Sequence, residues 1–315
     1  MIKAKNSPLR SLLLVLLLMN VSGVCHAARI TEYRVIRKTV QDQQGKTRVA
    51  IRSFKSDQVA HLLVVDPVTL TSSNLPASTL GFSDASEASL GSTRFMKALD
   101  RHSLAPYRLQ NGGATRAESA VEGVFLTVDL CPSKRPFERE LFDAAGALCN
   151  GTPVPVAVAV SGVWLANHPE ELSYLKGETA AGRLAITWVN HSYHHDYHPQ
   201  APLEQNFLLT PGTDMSAEVI DLEQQLLANG LVPSPFFRFP GLVSDQAAMS
   251  RLRELSLIPI GSDAWLAKGE SPRKGSFILV HGNGNEPKGV RLLLPMLRSK
   301  ELRLLPLPEA FLKAD

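Results

Sequence analysis

From residue 121 onward, apolar runs of strand length alternate with amphipathic stretches of helical length, and this rhythm restricts the fold more than any other feature of the chain. Strand candidates lie at 124–129, 154–160, 184–190, 236–239, 257–261, 276–281 and 302–307. Helix candidates lie between them at 137–148, 169–176, 216–229, 245–255 and 290–299, with Gly230 as a stop and Ser244 as a cap. Strands apolar along their whole length belong to a parallel sheet covered on both faces. Seven such units predict an α/β fold over residues 121–315, and suit an incomplete, distorted (β/α)7 barrel better than the alternative of a short doubly wound sheet. Ahead of it, residues 28–120 carry strand-like stretches at 30–39, 47–54 and 61–65 and then a Ser/Gly/Asn-rich passage that includes Gln110-Asn-Gly-Gly113. They predict a small β-rich N-terminal extension, a wrapping segment whose function is not legible.

Residues 1–27 have the form of an export signal: Lys3, Lys5 and Arg10, an apolar core at 12–19, and a close on Cys25-His-Ala27 with small residues at the positions a signal peptidase reads. That core is too short to span a bilayer. The expected product is periplasmic or secreted, without stable membrane insertion after cleavage. The three cationic residues of the signal account for the whole formal charge of +3, so the mature chain is neutral and nothing in it calls for nucleic acid. Cys131 and Cys149 remain, and an oxidising compartment permits them to pair. A helix between them would hold its ends about 18 Å apart, which opposes pairing. Oligomeric state is not legible.

Polar residues collect where a parallel barrel keeps its chemistry, at the carboxyl ends of the strands. Five strand candidates end in Asp129, in His191 with His195, in Arg238, in Asp263 with Trp265, and in His281. Core packing does not explain acids, imidazoles and a guanidinium placed repeatedly at one edge; convergence on one site does. His191 and His195, four apart, fall on one face of a helical turn and can share an ion.

In this order the motifs resemble those of the polysaccharide deacetylases with a NodB-homology domain, carbohydrate esterase family four. Thr127-Val-Asp-Leu-Cys-Pro132 is similar to the family's Thr-Phe-Asp-Asp-Gly-Pro, and His191-Ser-Tyr-His-His195 to its His-Ser/Thr-x-x-His. Arg238-Phe-Pro-Gly241, Asp263-Ala-Trp265 and Leu279-Val-His281 resemble its Arg-x-Pro, Asp/Trp and Leu-x-His motifs. The resemblance implies a hydrolase acting on the C–N bonds of linear amides, removing N-acetyl or O-acetyl groups from an acetylated polysaccharide. It implies a divalent metal, zinc with cobalt or nickel as substitutes, on His191 and His195. Asp129 is then the base that deprotonates the attacking water, Arg238 its charge partner, His281 the acid for the leaving amine, and Asp263 the carboxylate orienting that acid. Trp265, Leu279 and Gly241 would bind substrate, the first two walling the acetyl pocket and Gly241 near a peptide N–H for the oxyanion.

The second aspartate of the family's metal triad falls on Leu130, which cannot bind an ion. The third ligand is therefore open: Asp129 itself, a neighbour such as His194, Asp196 or His198, or no tightly held ion at all. Two smaller departures are Cys131 in place of the family's glycine and Gly241 directly after Pro240. The competing readings are a catalytically silent module that grips acetylated glycan, and a metal-binding protein that uses only the His191 to His198 cluster.

Overall fold

The computed structural model describes Met1 and residues 27–82 and 90–311. The expected export signal therefore lies outside the described residues apart from Met1 and Ala27. No helix among the described residues is long and apolar enough to cross a membrane.

Five antiparallel strands open the chain: β1 (Ile30–Gln41), β2 (Thr47–Ser56), β3 (Val59–Val65), β4 (Ser72–Pro76) and β5 (Gly81–Phe82), in the order β4-β3-β2-β1-β5. Helix α1 (Arg94–Ser103) follows. The second sheet is parallel and sevenfold. It is built from β6 (Phe125–Leu130), β7 (Val154–Val160), β8 (Leu184–Asn190), β9 (Pro233–Phe237), β10 (Ile258–Pro259), β11 (Ala264–Trp265) and β12 (Phe277–His281), ordered β10-β9-β8-β7-β6-β12-β11. Between its strands run α2 (Arg139–Gly146), α3 (Gly162–Asn167), α4 (Pro169–Ala180), α5 (Met215–Ala228) and α6 (Gln246–Glu254), and α7 (Pro287–Arg298) follows β12. This is the expected distorted (β/α)7 barrel.

Alternation along each strand divides the core in two. On β6, Leu126, Val128 and Leu130 face outward and pack with Leu141 and Phe142 of α2, while Phe125 faces the barrel interior. On β7, Val156, Val158 and Val160 face the helices, and Ala157 and Ala159 face inward. The interior cluster also takes in Val49, Ile51 and Leu63 of the first sheet and Phe95 and Leu99 of α1. The N-terminal segment thus shares one core with the barrel instead of hanging from it. A buried ion pair fastens the two, Arg52 Nε to Glu223 Oε2 at 2.7 Å, with the Tyr33 hydroxyl donating to the same carboxylate at 2.8 Å.

The seventh strand is not where the apolar run at 302–307 places it. That run makes one parallel bridge, Val124 to Leu304, and then meets Pro306, which has no N–H to continue a ladder. The seventh place is taken by β11, two residues long and beside β12, too short to carry a periodic signal. Helix α3 also went unread, and the cap of α6 is Asp245, whose side chain accepts from Ala248 N, not Ser244.

The barrel is open between β10 and β11, and residues 110–117 fill the gap. Ala114 N donates to Pro259 O at 2.9 Å, Gly261 N to Ala114 O at 2.7 Å, and Ala117 N to Gly275 O at 2.8 Å. Gly113 sits at φ +85° with the Pro259 carbonyl only 2.4 Å from where a Cβ would stand, so both its conformation and its neighbour demand glycine.

Candidate active site

Parallel pairing brings the polar strand ends to one rim. Asp129 and His281 are register partners on adjacent strands, and His191 and Arg238 each follow a partnered strand end, Asn190 and Phe237. Arg238 is fully buried; its Nη1 donates to Asp129 Oδ1 at 3.0 Å and its Nη2 to Gly261 O at 2.9 Å. Burying such a pair costs desolvation, and removing either partner would leave an uncompensated charge.

Cys131 follows β6 and lies on the side of Asp129, while Leu130 between them points into the helix-side core. The Cys131 Sγ is 3.5 Å from His191 Nε2, and one ligand atom each from Cys131, His191 and His195 lie within 4.8 Å of one another. His191 Nδ1 is 2.8 Å from the Arg238 carbonyl, which can only accept, so this nitrogen carries the proton and Nε2 is left with a free lone pair. The Nε2 of His195 is buried without a hydrogen-bond partner, a costly state unless something accepts its lone pair. One thiolate and two imidazoles fit zinc and related divalent ions.

The two histidines do not share a helical turn. Residues 191–198 form a loop in which Ser192 (φ 64°) and His195 (φ 54°) adopt left-handed conformations. Ser192 N donates to Asn190 Oδ1, and the amides of Tyr193 and His194 both donate to Glu218 Oε2 at 2.9 Å. These bonds bring the two imidazole centroids to 4.7 Å without helix geometry. The same Glu218 holds His194 Nδ1 at 2.6 Å; His194 and Asp196 line the same cleft, but neither they nor the exposed His198 belong to the donor cluster.

Cys131 and His281 influence one another electrostatically. Burial opposes the thiolate, yet His195 and His281 bring the Cys131 thiol down to about 7. Burial likewise opposes the His281 imidazolium, but Cys131 and Glu286 raise its pKa well above the usual histidine range. Desolvation dominates at His191 and lowers its pKa, favouring the neutral form that an ion requires.

Asp263 does not orient His281. Its Oδ1 accepts from Phe277 N at 3.1 Å and its Oδ2 lies 3.8–3.9 Å from Arg273 and Arg116, outside the cleft. The carboxylate beside His281 is Glu286, with Oε2 2.9 Å from Nδ1, although Nδ1 is not aligned for a formal hydrogen bond. The same oxygen accepts from Trp265 Nε1 at 2.7 Å, so one carboxylate braces both the imidazole and the indole. Burial alone would raise the pKa of Glu286, but His281 and Trp265 outweigh it and the pKa is lowered. Trp265 pairs in register with Leu279, and both line a cleft of about 850 Å³ that also contains Asp129, Cys131, His191, His195 and His281. Gly241 lines it too, at φ +60°, with the Phe207 ring 2.3 Å from where a Cβ would stand. Sequence reasoning missed two residues here. Cys131 carries a signal, its spacing of two from Asp129 along a strand; Glu286, in the loop after β12, carries none.

Cys131 and Cys149 are both free; the latter's thiol donates to Gly182 O at 3.4 Å.

Residues 31–85 match the family model described as the RP012 protein N-terminal domain. Among solved structures the chain is similar to a family 4 carbohydrate esterase from Bacillus anthracis, at 17% identity and a TM-score of 0.47, covering 64% of this chain and 87% of that one. It is similar to PdaA of Bacillus subtilis, also a family 4 carbohydrate esterase, at 14% identity and a TM-score of 0.47, covering 63% and 84%. A third is a pseudoenzyme of that family from Bacillus anthracis, at 12% identity and a TM-score of 0.43, covering 66% and 69%. In the order of its site motifs the barrel resembles carbohydrate esterase family four, the polysaccharide deacetylases with a NodB-homology domain.

Proposed function

We propose that this chain is an exported hydrolase that removes acetyl groups from an acetylated polysaccharide. The observation that carries the reading is the meeting of Asp129, paired with Arg238, and His281, braced by Glu286, in one cleft with the donors of Cys131, His191 and His195. Cys131, His191 and His195 would hold a divalent ion, zinc by the chemistry of the donors, and when bound it would supply Lewis-acid activation of water and stabilise negative charge on the acyl oxygen.

The chain's own residues supply the remainder. The Arg238 guanidinium holds one oxygen of Asp129 and leaves the other to accept the proton of the attacking water. His281, with Glu286 Oε2 2.9 Å from its Nδ1, donates to the nitrogen of the departing amine. Glu286 holds the imidazole in place, while Trp265 and Leu279 give the acetyl methyl an apolar wall that also excludes water. The reading of a silent glycan-binding module rested on Leu130, and it weakens because the neighbouring Cys131 offers a third donor.

The test is release of free acetate from acetylated chito-oligosaccharides and from an O-acetylated polymer, with and without added zinc or cobalt. His281→Ala is expected to abolish release while zinc binding is retained. Glycan binding with no acetate under either ion would refute the hydrolase reading in favour of the silent module. Export is tested by recovering the protein from the periplasm or medium and sequencing its N-terminus, expected at residue 28.

A further inference from the structure

We infer that this site selects a thiophilic divalent ion, of the zinc and cobalt class, through a thiolate donated by Cys131, with Asp129 left out of the coordination. The inference rests on the same cleft as the hydrolase reading, and its test does not depend on turnover.

Strand geometry carries the first step. β6 continues in regular alternation through Leu130, whose side chain is fully buried among Val128, Leu141 and Phe142 on the helix side. A ligand in that position would face the wrong side of the sheet. Two residues after Asp129, Cys131 returns to the cleft side, with Sγ 3.5 Å from His191 Nε2. The donor position has moved one residue along the chain, to the next residue that can face the ion.

The second step is support for that cysteine. Asn283, buried to 1% exposure, donates from Nδ2 to the Cys131 carbonyl at 2.7 Å, and Asn285 Nδ2 reaches the Pro132 carbonyl at 3.4 Å. The backbone that aims the thiol is therefore held from the loop after β12. Such outer contacts are what fix a ligand's direction. The third step concerns Asp129: one oxygen takes the Arg238 hydrogen bond and the other lies 3.6 Å from His191 Nε2, yet the ligand atoms that come within 4.8 Å of one another are those of Cys131, His191 and His195, without this carboxylate.

A thiolate with two imidazoles discriminates by chemistry. Soft and borderline ions gain from sulfur and nitrogen, whereas magnesium, calcium and manganese prefer oxygen donors, and here no carboxylate is spent on the ion.

The experiment is cobalt(II) titration of the purified, metal-stripped full chain, followed by absorption. Cobalt bound to a thiolate gives a near-ultraviolet charge-transfer band that imidazole or carboxylate ligation does not. The band is expected in the wild type, is expected to persist in the double variant Cys25→Ser/Cys149→Ser, where Cys131 is the one remaining thiol, and is expected to vanish in Cys131→Ser. Losing an outer-shell partner already costs about 10–100-fold in metal affinity, so losing this ligand should weaken zinc binding by at least about 100-fold. Magnesium and manganese should not displace cobalt, and zinc should. Absence of the band from the double variant, or equal zinc affinity in wild type and Cys131→Ser, overturns the inference. Either result would leave acetate release to be judged separately, so failure here is distinguishable from failure of the hydrolase reading. If Cys131→Ser does not fold, the double variant decides alone.

Discussion

Replacing Leu130 by aspartate restores, on paper, the residue that the family motif places there; the structure says the variant will lose stability and gain no ligand. Leu130 has no exposed surface, and its Cδ2 lies 3.1 Å from where a Cβ on Gly282 would stand, so the surroundings are tightly filled. Removing a buried leucine side chain costs about 2–5 kcal/mol. Placing a carboxyl in the space without a partner adds about 1–3 kcal/mol. The total, about 3–8 kcal/mol, is comparable with the whole stability of an ordinary domain, about 5–15 kcal/mol. Leu130→Ala isolates the first contribution. Urea unfolding followed by circular dichroism should place Leu130→Ala below wild type and Leu130→Asp lower still, and zinc competition against a chromophoric chelator should find unchanged affinity in Leu130→Ala. A Leu130→Asp protein that melts like wild type and binds zinc more tightly would refute the reasoning, because it would mean that β6 ends at Asp129 and lets residue 130 turn to the cleft.

Three further perturbations separate structural from functional charges. Arg52→Ala should cost about 3–5 kcal/mol by stranding the buried Glu223, whereas Arg52→Met with Glu223→Leu and Tyr33→Phe, which also removes the hydroxyl bonded to that carboxylate, should recover most of the loss; equal destabilisation in urea melts would show that the network itself, not the orphaned charge, carries the stability. Glu286→Gln should lower kcat about 10–100-fold with little change in KM or zinc affinity, since the amide oxygen still accepts from Trp265 but the charge beside His281 is gone. Asp263→Asn should leave turnover within a few-fold of wild type, because an amide oxygen can still accept from Phe277 N. The reverse order of these two effects would return the orienting role to Asp263.

What the sequence showed and what it hid follow from the range of the interactions involved. Strands β7 and β8 have the bounds expected for them because a buried parallel strand is apolar throughout and its ends are marked by the change in composition. The convergence of Asp129, His191, Arg238 and His281 was legible for the same reason: each closes such a strand, and parallel pairing carries all the ends to one rim. The gap between β10 and β11 was not legible, since its partner, residues 110–117, lies some 150 residues away in the chain and pairs mostly through backbone atoms that any residue possesses. The third donor was hidden differently. Matching motifs letter by letter directs attention to Leu130, whereas counting by twos along the strand leads to Cys131. The histidine pair gives the complementary lesson: a spacing of four suggested a helical turn, yet the rings meet because Asn190 and Glu218 bind the loop amides and hold Ser192 and His195 left-handed. Proximity at this site is produced by the polar atoms around the loop, so Glu218, remote from any proton transfer, is as much a condition of the donor cluster as the histidines themselves.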